Sequence, residues 1–277
     1  MSEAKGIDIS MKEKVKVVIA THKNYEMPSE EFYLPVHVGA EGKVSLGYQG
    51  DNTGKNISEK NATFCELTGL YWAWKNIDSE YIGLVHYRRH FTLKSRGYRK
   101  KHTNMECVLS DSEILKLIDR YDVILPKKQK YIIETLYSHY AHTHYKEHLD
   151  ETRNIIAKLY PEFLVDYDAV MKQRSGHMFN MFIMKKEYVD EYCQWLFDIL
   201  FELEKRMGQQ YISPFQGRFY GRVSEIALNC WLRHKKRTDT LQIKKVPVFY
   251  LEKIDWNRKI KSFFAAKFAH KKYRGSF

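Results

Sequence analysis

The stretch Y81-I-G-L-V-H-Y-R-R-H-F91 decides the fold, because a buried strand within it runs directly into a cluster of basic side chains. Its first five residues are apolar except for one glycine, and two of them, Ile82 and Val85, are β-branched. This composition is typical of a strand covered on both faces. His86, Arg88, Arg89 and His90 follow together. Two interpretations stay open: the charges solvate the end of the strand, or an anionic ligand binds there.

Strands and helices alternate on both sides of this stretch, which predicts parallel pairing in an α/β sheet. The second half is more helical, and Ser224 is a candidate cap of its last helix. We therefore predict an α/β fold with a central, mostly parallel sheet flanked by helices. The other predicted strands are 15–20, 32–39, 121–125 and 178–184, and the predicted helices are 61–76, 111–120, 187–207 and 224–233.

The chain divides into three segments by composition. Residues 1–13 are polar and predict a flexible N-terminus, residues 14–250 predict one globular domain, and residues 251–277 form a basic amphipathic tail. The chain has no internal repeat and no clear linker, which favours a single domain.

Charge and cysteine content limit the classes of partner and compartment. Lys and Arg total 46 against 34 Asp and Glu, and a net charge of +12 favours a phosphorylated ligand, a nucleic acid or an anionic membrane. The four cysteines stand far apart, so neither a zinc site nor a disulfide framework is indicated. With no secretory signal and no run of apolar residues long enough to span a membrane, a cytoplasmic protein is expected.

Ligands of open α/β sheets bind beyond the carboxyl ends of the strands. Thr21 and His22 follow the first strand, and His86, Arg88 and Arg89 follow the opening one. Guanidinium groups match phosphate oxygens in a bidentate way, so two arginines with a histidine can hold a diphosphate without a metal.

Several motifs together resemble a known family. The motifs are N56-I-S-E-K-N61, L67-T-G-L-Y-W-A-W-K-N76, G83-L-V-H-Y-R-R-H-F91, N180-M-F-I-M-K-K186 and G221-R-V-S-E225. They resemble the glycosyltransferases of bacterial capsular and O-antigen polysaccharide gene clusters, long classed as a domain of unknown function. The resemblance spans roughly 15–248 and implies a GT-A-like fold; some relatives transfer galactofuranose from UDP.

The resemblance implies a hexosyltransferase whose donor is UDP-galactofuranose or UDP-galactose. Its acceptor would be a growing cell-surface polysaccharide, lipid-linked and reached from the inner face of the membrane. Many GT-A enzymes end the central strand in Asp-x-Asp, which holds a divalent cation, whereas this strand ends in H86-Y-R-R89. We therefore expect a reaction that requires no metal and no other cofactor. The literal D166-Y-D168 is interpreted as a solvated helix face.

Glycosyl transfer needs a base for the acceptor hydroxyl. Glu225 is the candidate, placed in the first turn of its helix; the alternative is that it merely complements the helix dipole. Asp51, in a polar loop, is a second candidate for base or sugar ligand.

Other candidates follow from their positions relative to these motifs. Asn61 and Lys75 are expected to contact uridine or phosphate, and His177 and Asn180 the acceptor or sugar. His144 and His148 are four apart and would share one helical face, but no third metal ligand is evident nearby.

The tail and the net charge keep other interpretations open. Three phenylalanines alternate with basic residues in the tail, which therefore binds an anionic membrane surface or docks as an ordinary C-terminal helix. Two rival functions remain: a nucleic-acid binder, disfavoured because no binding motif is present, and a non-catalytic sugar-binding or scaffold protein.

Overall fold

A nine-stranded sheet organises the chain, and the computed structural model describes residues 14–102, 104–208, 213–252, 255, 262–267, 272, 273 and 275. The expected flexible segment 1–13 and most of the tail lie outside the described residues. The strands are β1 (Val15–Thr21), β2 (Tyr33–His37), β3 (Gln49–Gly50), β4 (Tyr81–His86), β5 (Arg89–Phe91), β6 (Val123–Pro126), β7 (Gln129–Lys130), β8 (Ser175–Gly176), β9 (Phe182–Lys185), β10 (Ile243–Val246) and β11 (Val248–Tyr250).

Helices cover the sheet and fill most of the second half. In chain order they are α1 (Asn61–Phe64), α2 (Leu67–Asn76), α3 (Arg96–Lys101), α4 (Asp111–Ile118), α5 (Leu136–Thr143), α6 (Glu147–Leu159), α7 (Leu164–Met171), α8 (Lys186–Met207), α9 (Pro214–Gly217) and α10 (Phe219–Thr238).

The sheet is mostly parallel, which confirms the predicted fold class. Its order is β10-β6-β9-β4-β1-β2-β3, with β5 and β11 continuing from β4 at one end. Strand β9 is antiparallel to both β4 and β6, so β4 and β6 run in the same direction as each other. The carboxyl ends of β1, β4 and β6 therefore meet at one edge of the sheet.

Apolar residues alternate between two hydrophobic clusters, one on each face of the sheet. Val18 and Ala20 of β1 belong to the cluster that includes α2, α8 and α10, and Val17 and Ile19 belong to the cluster that includes α4. Both faces are buried, so these strands consist of nearly continuous apolar residues. The β-branched composition of β1 follows from this burial.

The helix predicted over 61–76 is broken at Cys65, which has φ of 56°. The Cys65 carbonyl accepts hydrogen bonds from the Asn61 amide at 2.7 Å and from the Thr68 hydroxyl at 3.1 Å. Polar side chains that bond to nearby backbone compete with helical hydrogen bonds, and here they end α1. Thr63 and Glu66 have the spacing of a capping box, but the Thr63 hydroxyl donates to Lys60 O instead.

Two other predicted boundaries were wrong. The strand predicted from residue 178 begins only at Phe182, because Phe179 and Asn180 have φ of 78° and 52°, outside the β region. Helix α10 begins at Phe219 rather than at Ser224. Ser224 caps nothing; its hydroxyl donates to Asn180 Oδ1 at 2.7 Å and to Gly221 O at 3.0 Å.

Asp51 holds the polar loop that precedes α1. It is fully buried, and its carboxylate accepts hydrogen bonds from the backbone of Gly39 at 2.8 Å and of Ala40 at 3.0 Å. The Ser58 hydroxyl also donates to it. Gly39 has φ of 65°, a conformation that favours glycine. Both carboxylate oxygens are thus engaged inside the loop.

We predict that Asp51→Ala lowers the free energy of unfolding by about 3 kcal/mol, because two buried N–H groups and a hydroxyl lose their acceptor. Urea denaturation measures the change. Asp51→Asn keeps one acceptor oxygen and should lose less. Unchanged stability together with a loss of activity would return Asp51 to the catalytic role considered from sequence.

Candidate active site

A cavity of about 520 Å³ opens at the carboxyl edge of the sheet, beyond β1 and β4. We call it the arginine cavity. Its basic lining side chains are Lys43, Arg88, Arg89, Arg218 and Arg222, together with His22 and His86. Its two carboxylates are Glu66 and Glu225. Cations exceed carboxylates here, so the cavity favours an anionic ligand.

The hairpin from β4 to β5 presents two of these arginines. His86 pairs with Arg89 across the turn, which brings Arg88 and Arg89 to the end of the strand. The Arg88 guanidinium forms an exposed ion pair with Glu252 at 2.9 Å, a contact of the kind that contributes about 0–1 kcal/mol. The Arg89 Nε is buried and has no hydrogen-bond partner among the described residues. Both side chains can therefore turn donors towards a ligand at little cost.

The two histidines of the cavity do not act as cations. Burial lowers the pKa of His86, and its Nε2 lies 2.6 Å from the Phe179 carbonyl, so neutral His86 donates a hydrogen bond there. The pKa of His22 is also lowered, by desolvation and then by the neighbouring Lys23 and Arg218. The positive charge of the cavity therefore comes from arginine and lysine.

Glu225 lies in the second turn of α10, not in the first turn as predicted. Desolvation, and then repulsion by Glu66, raise its pKa to about 7, against the opposing effects of Arg89 and Arg222. Interaction with the helix dipole falls off within the first turn, so that alternative weakens for Glu225. A carboxylate with a pKa near 7 can accept and release a proton at neutral pH.

Glu66 is a site residue that the sequence reasoning did not find. The break at Cys65 turns its side chain into the arginine cavity. Asn180 holds it there, because the Asn180 amide donates to Glu66 at 2.7 Å and to Gly221 O at 2.9 Å. The only available signal was a glutamate two residues before T68-G69, which helical periodicity assigns to an ordinary helix.

A second cavity, of about 210 Å³, lies on the other side of Glu225. We call it the aromatic cavity. It shares Phe215, Arg222 and Glu225 with the arginine cavity. Its other aromatic lining residues include Tyr131, Tyr140, His139, His144 and Tyr273. Aromatic faces and hydroxyl groups together suit a sugar ring, and Glu225 faces both cavities.

Six of the eleven candidate residues line the arginine cavity: His22, Asn61, His86, Arg88 and Arg89 from the donor set, together with Glu225, the candidate base. Asn180 does not line it; its amide donates to Glu66, which does. The other four candidates lie elsewhere.

Thr21, Lys75, Asp51 and His177 do not line the arginine cavity. The buried Thr21 hydroxyl donates to Lys23 O at 2.6 Å and closes a turn. Lys75 lies at the far end of α2, about 14 Å along the helix from Glu66, with its ammonium 3.2 Å from the centre of the Trp74 ring. His177 bonds to the Pro126 carbonyl at 2.6 Å and lines a different cavity.

The other sequence motifs have structural roles away from the arginine cavity. His144 and His148 do not share a helix, because α5 ends at Thr143 and α6 begins at Glu147. Asp166 is not solvated as expected; it is buried and forms an ion pair with Arg237 at 2.9 Å.

Within the described residues, no group of three or more His, Cys, Asp or Glu is placed to hold a metal ion. In the same part of the chain, no helix combines the length and apolarity of a membrane span.

The chain is similar to a solved protein. That structure is titled as the apo form of the bifunctional glycosyltransferase WbbM, and it matches with a TM-score of 0.78 and 28% sequence identity. The match covers 87% of this chain but 46% of the other, so this chain spans less than half of that protein's length. No curated protein matches the chain. A family profile, described as Domain of unknown function (DUF4422), matches residues 16–236, and the chain therefore belongs to that family.

Proposed function

We propose that the protein is a glycosyltransferase of polysaccharide biosynthesis. It moves a sugar from a nucleotide-diphospho-sugar to a glycan acceptor. The observation that carries the proposal is the position of Glu225, a partly buried carboxylate with a raised pKa that lines both a cation-lined cavity and an aromatic one. Similarity to a bifunctional glycosyltransferase supports the same reaction class.

The donor diphosphate binds in the arginine cavity. Departure of UDP develops negative charge on the diphosphate, and pre-placed donors stabilise that charge best in a site that excludes water. Arg88 and Arg89 supply such donors at the strand end, and Arg218, between α9 and α10, and Arg222, in α10, line the same cavity. Because these cations can neutralise the leaving group, the reaction is proposed to need no divalent cation.

The acceptor sugar binds in the aromatic cavity, with its hydroxyl towards Glu225. A general base must lie within hydrogen-bond reach of the proton that it removes. Glu225 lines both cavities, which supports its proposed role as the base for an acceptor hydroxyl beside the donor sugar. UDP-galactofuranose or UDP-galactose is the proposed donor, and a cell-surface polysaccharide, lipid-linked, is the proposed acceptor.

We predict that UDP binds the wild-type protein in EDTA and that the Arg88→Ala, Arg89→Ala double variant weakens binding at least about 100-fold, because two charge-assisted contacts are lost. Calorimetric titration in EDTA and then in manganese measures the affinity. Lys116→Ala with Lys158→Ala removes the same charge from exposed sites outside the cavities and serves as the control. Binding that requires manganese would overturn the metal-free mechanism.

We predict that Glu225→Gln keeps its affinity for UDP but lowers kcat about 10²–10⁴-fold, the usual contribution of a general base. The readout is UDP released from UDP-galactofuranose or UDP-galactose. In the wild type, kcat should fall as the pH drops below about 7, because Glu225 is then protonated.

Glu66→Gln is the matched control for that pH dependence. The Glu66 charge raises the pKa of Glu225, so its removal should shift the acid limb of the profile to lower pH while UDP affinity stays similar. Full kcat in Glu225→Gln would exclude Glu225 as the base. Binding of UDP without any turnover would favour the non-catalytic sugar-binding interpretation.

We also propose that the basic tail holds the protein at an anionic membrane. Replacing Lys259, Lys261 and Lys271, which lie outside the described residues, by Gln should weaken co-sedimentation with phosphatidylglycerol vesicles by about 1 kcal/mol per lysine. Substitution is preferable to deletion, because Tyr273 lines the aromatic cavity. Equal sedimentation of the variant and the wild type at low salt would refute membrane binding by the tail.

A further inference from the structure

A third cavity, of about 380 Å³, lies at the same edge of the sheet, just beyond the end of β6. We call it the lysine cavity. Exposed cations surround its opening, and its inner wall consists of the buried side chains of Asp166, His177 and Asn229. The cations are Lys128, Arg233, Lys236 and Arg237.

Two of these cations are already paired, and two are not. Asp166 forms ion pairs with Arg237 at 2.9 Å and with Arg233 at 3.3 Å. Lys128 and Lys236 form no ion pair among the described residues; Lys128 donates to Gln173 at 3.3 Å. The cavity thus keeps an excess of positive charge after its own carboxylate is counted.

The lysines also repel one another. Desolvation, and then Lys236 and Lys245, lower the pKa of Lys128, and desolvation followed by Lys245 lowers the pKa of Lys236. A pKa lowered by like charges means that the protonated lysines repel one another, which costs free energy. An anion bound between the lysines would offset this repulsion.

One short segment divides this cavity from the other two. His177 lines the lysine cavity, Met178 the aromatic cavity and Phe179 the arginine cavity. Two residues of chain span at most about 7 Å. The side chain of Asn229 ties the segment to α10, because it accepts from His177 N at 2.7 Å and donates to Glu225 O at 2.8 Å.

We propose that the lysine cavity binds a phosphate or carboxylate group, at a site separate from Arg88 and Arg89. Lys128 and Lys236 neutralise the anion, and Arg233 and Arg237 remain with Asp166. The ligand is either a small free anion or a charged group on a saccharide whose remainder reaches the neighbouring cavities. None of its lining residues lines the arginine cavity, so the site can be tested separately from the proposed glycosyl transfer.

Calorimetric titration with inorganic phosphate tests this site in the full chain. Because phosphate can also bind the arginine cavity, the background protein carries Arg88→Ala and Arg89→Ala. Adding Lys128→Ala and Lys236→Ala should weaken the remaining phosphate binding at least about tenfold, as expected for the loss of two charge-assisted contacts. Adding Lys116→Ala and Lys158→Ala instead makes the same change in net charge and should leave it unchanged.

Equal phosphate affinity in these two quadruple variants, or no saturable phosphate binding in the background protein, would overturn the proposal. Glucose 1-phosphate distinguishes the sources of the anion: tighter binding than inorganic phosphate assigns the site to a sugar-borne group, and equal binding assigns it to a free anion. UDP titration of Lys128→Ala, Lys236→Ala should match the wild type, so a failure of UDP to bind at all would concern the glycosyltransferase proposal alone.

Discussion

The hydrogen bonds of Asn180 join the parts on which the rest of the site depends. One buried amide contacts Glu66 after the break in the first helix, the Gly221 carbonyl in α10 and the Ser224 hydroxyl. Three chain segments that are distant in sequence thereby take fixed relative positions. A buried polar network of this kind is stabilising when every member is satisfied, and it specifies one arrangement of the side chains around it.

The site balances two opposing electrostatic demands. In the proposed reaction its arginines attract the donor diphosphate, yet its candidate base must stay a weak enough acid to exchange protons near neutrality. Burial and Glu66 raise the pKa of Glu225, and Arg89 and Arg222 oppose that rise. In the proposed mechanism Glu66 therefore acts through the pKa of Glu225 and needs no contact with a reacting atom.

Features set by local sequence were predictable, and features set by tertiary contacts were not. The strand that ends at His86 and the helix that begins at Asp111 follow from periodicity and a Ser110 capping box. Two outcomes depended on side chains distant in sequence: Glu66 enters the cavity, and Asp51 is engaged by the loop backbone. Periodicity also cannot foresee positive φ at Phe179 and Asn180, because non-glycine residues adopt it only where the surrounding structure requires it.

In the segment from His177 to Phe179, each of the three consecutive residues lines a different cavity. Because one segment lies between all three cavities, it restricts which substitutions can alter the ligand preference of a single cavity during evolution. A substitution that shifts the backbone of the segment would change all three cavities at once, whereas a substitution on an outer wall, such as Lys43, Tyr131 or Lys236, changes one. New specificities in related chains should therefore arise from the outer walls, with the shared partition kept as it is.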